Sequence, residues 1–93
     1  METKRVRFSV FGRVQGVGFR WAAERAAEQL GVGGWIANAA ARDRVDGAVE
    51  GPEPAVAAFL DWLRRGPPSA RVDRVVTAEE PLTGTGGFFI REG

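Results

Sequence analysis

An alternating apolar run, a glycine-rich loop and an alanine-rich helical stretch follow one another directly, and this order constrains the fold more than any other feature of the chain. Val6, Phe8 and Val10 alternate with Arg5, Arg7 and Ser9, the period-two pattern of a strand with one apolar face. From about Arg20 to Leu30 the period changes: Phe19, Ala23, Ala26, Ala27 and Leu30 fall on one side of a helix, and Gly31 is placed to end it. Between the two lies G-R-V-Q-G-V-G-F-R, Gly12 to Arg20, so a strand must hand over to a helix N-terminus within this loop. Helix N-termini present N–H groups that lack intrahelical acceptors, and glycines at Gly16 and Gly18 let successive N–H groups gather around one anion. Arg20 adds a planar guanidinium that can grip two phosphate oxygens. The loop from Gln15 through Gly16, Val17, Gly18 and Phe19 to Arg20 is therefore a candidate anion cradle, with a plain tight turn as the competing reading. Two other glycine motifs are excluded. A Walker loop needs a lysine where the only one here is Lys4, and the dinucleotide fingerprint needs a glycine where Trp21 stands.

The rest of the chain repeats the strand and helix alternation. Gly33 to Asn38 reads as a second strand and Arg44 to Glu50 as a third, with the turn at Ala39 to Asp43. Placing that turn at Asp46-Gly47 would leave too short a strand before Gly51-Pro52. The second helix is marked by Pro54 in its first turn, by Val56, Phe59, Leu60 and Leu63 at helical spacing, and by Gly66-Pro67-Pro68 as its stop. A fourth strand spans about Arg71 to Ala78, and its alternation slips between Val72 and Val75, which predicts a bulge. Phe88 to Arg91 reads as a short fifth strand. The order predicts a single α+β domain over residues 1–93, a ferredoxin-like βαββαβ sandwich: a mainly antiparallel sheet, two helices on one face, and an extra C-terminal strand.

Composition excludes several chemistries. The 93 residues include no histidine, cysteine or tyrosine, which removes the serine protease triad, cysteine nucleophiles and the usual zinc sites. No unperturbed side chain titrates near neutrality, so an enzyme built from this chain suits a reaction that needs little general-base help. A formal charge of +1 argues against a dedicated nucleic-acid binder. No apolar run approaches the ~20 residues of a membrane span, and the start lacks the apolar segment of a signal peptide, so a cytoplasmic address is expected. The chain is also expected to be a monomer.

Four segments together carry a family resemblance. Phe11 to Arg20, then Gly34-Trp35-Ile36-Ala37-Asn38, then Val45-Asp46 leading into Glu50-Gly51-Pro52, then Phe59 to Leu63 before Gly66-Pro67-Pro68, resemble the acylphosphatase family over nearly the whole chain. The resemblance implies hydrolysis of a carboxyl-phosphate anhydride to a carboxylate and inorganic phosphate, with no metal and no organic cofactor. It also implies that Arg20 and Asn38 are catalytic and that the Gln15 to Arg20 loop binds phosphate. On position alone Asn38 is an ordinary turn residue. The implied partners are a small acyl phosphate and inorganic phosphate, with neither nucleic acid nor membrane. One departure stands out: the family's Asp-Gly after the asparagine is replaced by Ala39-Ala40-Ala41-Arg42-Asp43-Arg44, about one residue longer and without glycine. A displacement of Asn38 at that altered turn would move the attacking water and lower activity. Trp21, Trp35 and Trp62 are expected to serve packing. The alternatives are a non-catalytic phosphate- or carbamoyl-phosphate-binding module, as at the start of larger hydrogenase-maturation proteins, and an RNA-binding sheet displaying Arg7 and Phe11.

Overall fold

The computed structural model describes Glu2 to Glu92. Its elements are β1 (Thr3–Arg13), α1 (Phe19–Leu30), β2 (Gly33–Asn38), β3 (Arg44–Pro52), α2 (Glu53–Arg65), β4 (Arg71–Glu80) and β5 (Phe88–Arg91). The sheet order is β4-β1-β3-β2-β5, antiparallel throughout except for the parallel pairing of β5 with β2. This is the expected ferredoxin-like arrangement with one extra edge strand.

The alternation in β1 determines which sheet face is covered. Val6, Phe8 and Val10 lie opposite Val49, Gly47 and Val45 of β3, and these apolar residues pack with Ile36, Phe88 and the helices into one core. Helix α1 contributes Phe19, Ala23, Ala26 and Ala27, and α2 contributes Val56, Phe59 and Leu63. Leu30 and Leu60 are half-buried at its margin. Rings tie the layers together: Phe59 lies 5.9 Å from Phe8, 5.4 Å from Phe88 and 6.3 Å from Trp62. Trp62 thus serves packing as expected. Helix α1 stops at Gly31, where the Gly31 and Val32 N–H groups donate back to the Glu28 and Ala27 carbonyls at 3.3 and 3.1 Å, the double bond of a Schellman end. The expected slip in β4 is a bulge at Asp73: Phe11 pairs with Arg74 but Gly12 pairs with Val72.

The uncovered sheet face is rich in polar residues, and two of its aromatic rings, Phe11 and Trp35, carry arginines. Arg91 stands 4.6 Å and Arg7 5.9 Å from the Trp35 ring, and Arg74 stands 4.2 Å from Phe11. Trp35 therefore belongs to this outer layer and not to the core. Near the start of β1 the outer face closes over a charge cluster. Arg5 donates from Nε to Glu80 at 2.7 Å and from Nη1 to Glu50 at 3.0 Å. Glu50 also accepts from the backbone N–H groups of Thr83 and Gly84 at 3.0 and 2.8 Å, which fixes the β4 to β5 connection. Arg5 and Glu50 are only 7% and 5% exposed. Burial works against a Glu50 carboxylate, but the N–H donors of Thr83 and Gly84 and the Arg5 guanidinium outweigh it and lower its pKa to about 2.

Candidate active site

The loop between β1 and α1 is anchored from both sides. Val14 is sunk in the core, and the Ser69 hydroxyl donates to the Val17 carbonyl at 2.7 Å, fastening the loop to the segment after α2. Gly16 and Gly18 have φ of 73° and 77°, the left-handed region in which a side chain is strained. A Cβ at either position would meet no protein atom within 4 Å, so the requirement for glycine comes from the backbone angle alone. Gly18 caps α1 without a side-chain hydrogen bond, and the first turn holds no acidic residue. Among the described residues, no acceptor engages the backbone N–H groups of Gln15, Gly16, Val17, Gly18, Phe19 or Arg20. Six neighbouring donors beside the positive end of a helix leave this loop short of negative charge.

Arg20 lies on the first turn of that helix. Cationic side chains are unfavourable there, and β5 supplies the local compensation: Arg20 Nη1 reaches the Arg91 carbonyl at 3.3 Å and the Glu92 carboxylate at 4.0 Å. Both contacts are long and Glu92 is fully exposed, so the guanidinium is loosely held and keeps donors for another acceptor. Gly93, which follows Glu92, lies outside the described residues.

Asn38 is the last residue of β2, paired with Val45, and its carboxamide makes no hydrogen bond to the other described residues. The altered turn after it is well fastened. Ala39 N–H donates to the Arg44 carbonyl at 3.1 Å, and Gly12 N–H donates to the Asp43 carbonyl at 3.0 Å. The Gln15 Nε2 lies 3.1, 2.9 and 2.8 Å from the carbonyl oxygens of Ala39, Ala41 and Arg44, so its two N–H groups are shared among the three acceptors. Among the described residues no non-glycine residue has positive φ, so the turn closes without the glycine that the family pattern carries. Gln15 thus contributes its backbone to the loop while its side chain grips the turn behind Asn38, a role its position in the motif did not reveal.

Arg20, Asn38, Gly16, Gly18 and Phe19 line one cavity of about 200 Å³, together with Val14, Trp21 and Ile90. The structure therefore brings the two candidate catalytic side chains and the glycine loop to one place. Trp21 departs from expectation: it is 60% exposed and borders this cavity, where a packing role was expected. The signal was its position off the α1 apolar stripe. Ile90 was not legible, because its place follows from the parallel pairing of β5 with β2. A larger groove of about 520 Å³ runs between the helices past Trp62 and Pro67, but it contains neither the glycine loop nor Asn38.

The match to known proteins covers the same residues. The acylphosphatase family model matches residues 6–90. The chain belongs to the acylphosphatase family. An acylphosphatase of Thermococcus kodakarensis is 43% identical over 90 residues, covering 97% of this chain and 98% of the relative. The crystal structure of an acylphosphatase from Bacillus subtilis superposes with a TM-score of 0.89 at 35% identity, covering 95% of this chain and 98% of that one. T. kodakarensis HypF is similar as well, with a TM-score of 0.79 at 36% identity, but the match covers 97% of this chain and only 12% of HypF.

Proposed function

We infer that this chain hydrolyses acyl phosphates to a carboxylate and inorganic phosphate, with Arg20 and the amides from Gln15 to Arg20 holding the phosphoryl group and Asn38 aiming the attacking water. The reading rests on the meeting of the glycine loop, Arg20 and an unengaged Asn38 carboxamide around one cavity. An acyl phosphate carries a good leaving group, a carboxylate that departs without protonation. Catalysis then reduces to orienting the phosphoryl group and stabilising the charge on its oxygens. The backbone N–H groups supply fixed donors and Arg20 a guanidinium free to close on the remaining phosphoryl oxygens. Asn38 accepts a hydrogen bond from water through Oδ1 and donates through Nδ2, which directs a lone pair at phosphorus. Water oxygen bonds to phosphorus as the bond to the acyl oxygen breaks, the carboxylate leaves with the electron pair, and the water proton passes to a phosphate oxygen. Nothing in this sequence calls for a metal or an organic cofactor.

The chain acts in this reading as a one-domain cytoplasmic monomer whose partners are the acyl phosphate and inorganic phosphate. The open sheet face gives nucleic-acid bases no free stacking platform at Phe11 or Trp35, since both rings carry arginines. The test is the loss of benzoyl phosphate absorbance with the wild type and Arg20→Ala side by side, and with inorganic phosphate as competitor. Rapid hydrolysis by the wild type alone, inhibited by phosphate, is expected. Equal rates for the two proteins would overturn the assignment.

A further inference from the structure

We propose that Trp21 and Ile90 form an acyl-group subsite at the mouth of the cavity, and that the chain prefers acyl phosphates with an aromatic or branched apolar acyl group. The proposal rests on the hydrolytic reading above and adds the substrate class.

Four apolar side chains border the cavity, and they divide into two kinds. Val14 and Phe19 are each 1% exposed and belong to the core. Trp21 and Ile90 are 60% and 37% exposed, although both are large and apolar. Only five large hydrophobic side chains are exposed among the described residues, and two of them line this one cavity, Trp21 also bordering the larger groove between the helices. Burying such surface under a ligand is favourable in proportion to the area removed from water.

Their placement relative to the anchor gives the surface a direction. Trp21 follows Arg20 on α1, and Ile90 precedes Arg91, whose carbonyl receives Arg20 Nη1. A phosphoryl group bound to Arg20 and the loop amides therefore has an apolar residue from each neighbouring element beside it. The cavity is also small. At about 200 Å³ it falls below the ~300–1,000 Å³ typical of sites that enclose a whole organic ligand. It holds the phosphoryl group and the carbonyl end, so the remainder of the acyl group must lie across the mouth. Arg25 stands 4.9 Å from the Trp21 ring and braces the indole against the helix. Glu92, 4.0 Å from Arg20, adds negative charge at the same rim and disfavours an acyl group that carries a second anion there.

The experiment compares kcat/KM for benzoyl phosphate and acetyl phosphate, each divided by its uncatalysed rate, in the wild type, Trp21→Ala, Ile90→Ala, Trp21→Phe and Val76→Ala. The wild type should favour benzoyl phosphate by about tenfold or more. Trp21→Ala and Ile90→Ala should each lower that ratio several-fold, mainly through KM for benzoyl phosphate. Trp21→Phe should recover most of the ratio. Val76, 49% exposed on β4 and absent from the cavity lining, should leave the ratio unchanged on replacement. A ratio that stays constant across all five proteins would overturn the subsite while leaving hydrolysis standing. Failure of the wild type to hydrolyse either compound would remove the hydrolytic reading itself, and the subsite with it.

Discussion

At the start of β1, Arg5 meets Glu80 and Glu50, and Glu50 in turn receives Thr83 and Gly84, so the polar groups of this buried cluster have partners from the chain itself. Past the end of the same strand, six successive N–H groups and the Asn38 carboxamide have none among the described residues, and Arg20 is held only at long range. The two regions share a strand and differ in what they leave unpaired. A closed network stabilises the fold. An open one keeps its interaction energy for a ligand, and in a small family enzyme this contrast separates the residues of stability from those of chemistry.

The contrast is tested most severely at Arg20. Arg20→Ala should lower kcat/KM for benzoyl phosphate by at least roughly 100- to 1,000-fold. The same change should leave the thermal midpoint level or slightly higher, since it removes a cation from the positive end of α1. A large loss of stability would place Arg20 with the closed network. Asn38→Ala should reduce kcat by about 100-fold while the inhibition constant for inorganic phosphate changes little, as expected of a residue that aims water and does not hold the anion. Competition kinetics separate the two roles, and weakened phosphate inhibition would reassign Asn38 to binding.

The opposite pattern is expected at the other end of the strand. Glu50→Ala removes one of the two carboxylates that hold the buried Arg5 guanidinium and frees the Thr83 and Gly84 N–H donors, and should cost about 3 kcal/mol in urea unfolding, with kcat of the folded fraction near that of the wild type. Gln15→Leu occupies the middle ground. It releases three carbonyls of the turn behind Asn38 and should lower kcat by about tenfold, with a small fall in stability.

The Glu50 carboxylate also predicts a pH dependence. The folded pKa of Glu50 is lowered to about 2 from the ordinary 4.5, so its contribution to stability is complete above about pH 4.5 and is lost as pH falls toward about 2. Urea midpoints measured across that window should drop in the wild type and drop less steeply in Glu50→Gln. Parallel slopes would show that other carboxylates dominate acid unfolding.

Periodicity carried most of the architecture. The helical spacing of Val56, Phe59, Leu60 and Leu63 marked α2, and the slip between Val72 and Val75 marked a bulge that falls at Asp73. The glycine loop was legible because Gly16 and Gly18 satisfy a local backbone need that requires no tertiary information. The Arg5 cluster was not legible. Each of its members reads as a surface charge, and only the β1 pairings with β3 and β4 bring residues 5, 50 and 80 together. The same holds at the site. That Asn38 faces the loop depends on sheet register, and that Gln15 spans three turn carbonyls depends on the exact path of residues 39–44. Motif resemblance identified Arg20 and Asn38; packing alone placed Trp21 and Ile90 beside them.

The parallel strand β5 has a kinetic corollary. It joins the sheet through β2, across most of the chain, and supplies both the carbonyl that steadies Arg20 and one wall of the pocket. Contacts between segments so distant in sequence form late, because loop closure must precede them. A partly folded species lacking this edge would keep its glycine loop yet have no complete pocket, so regain of hydrolysis should lag behind regain of helical circular dichroism during refolding.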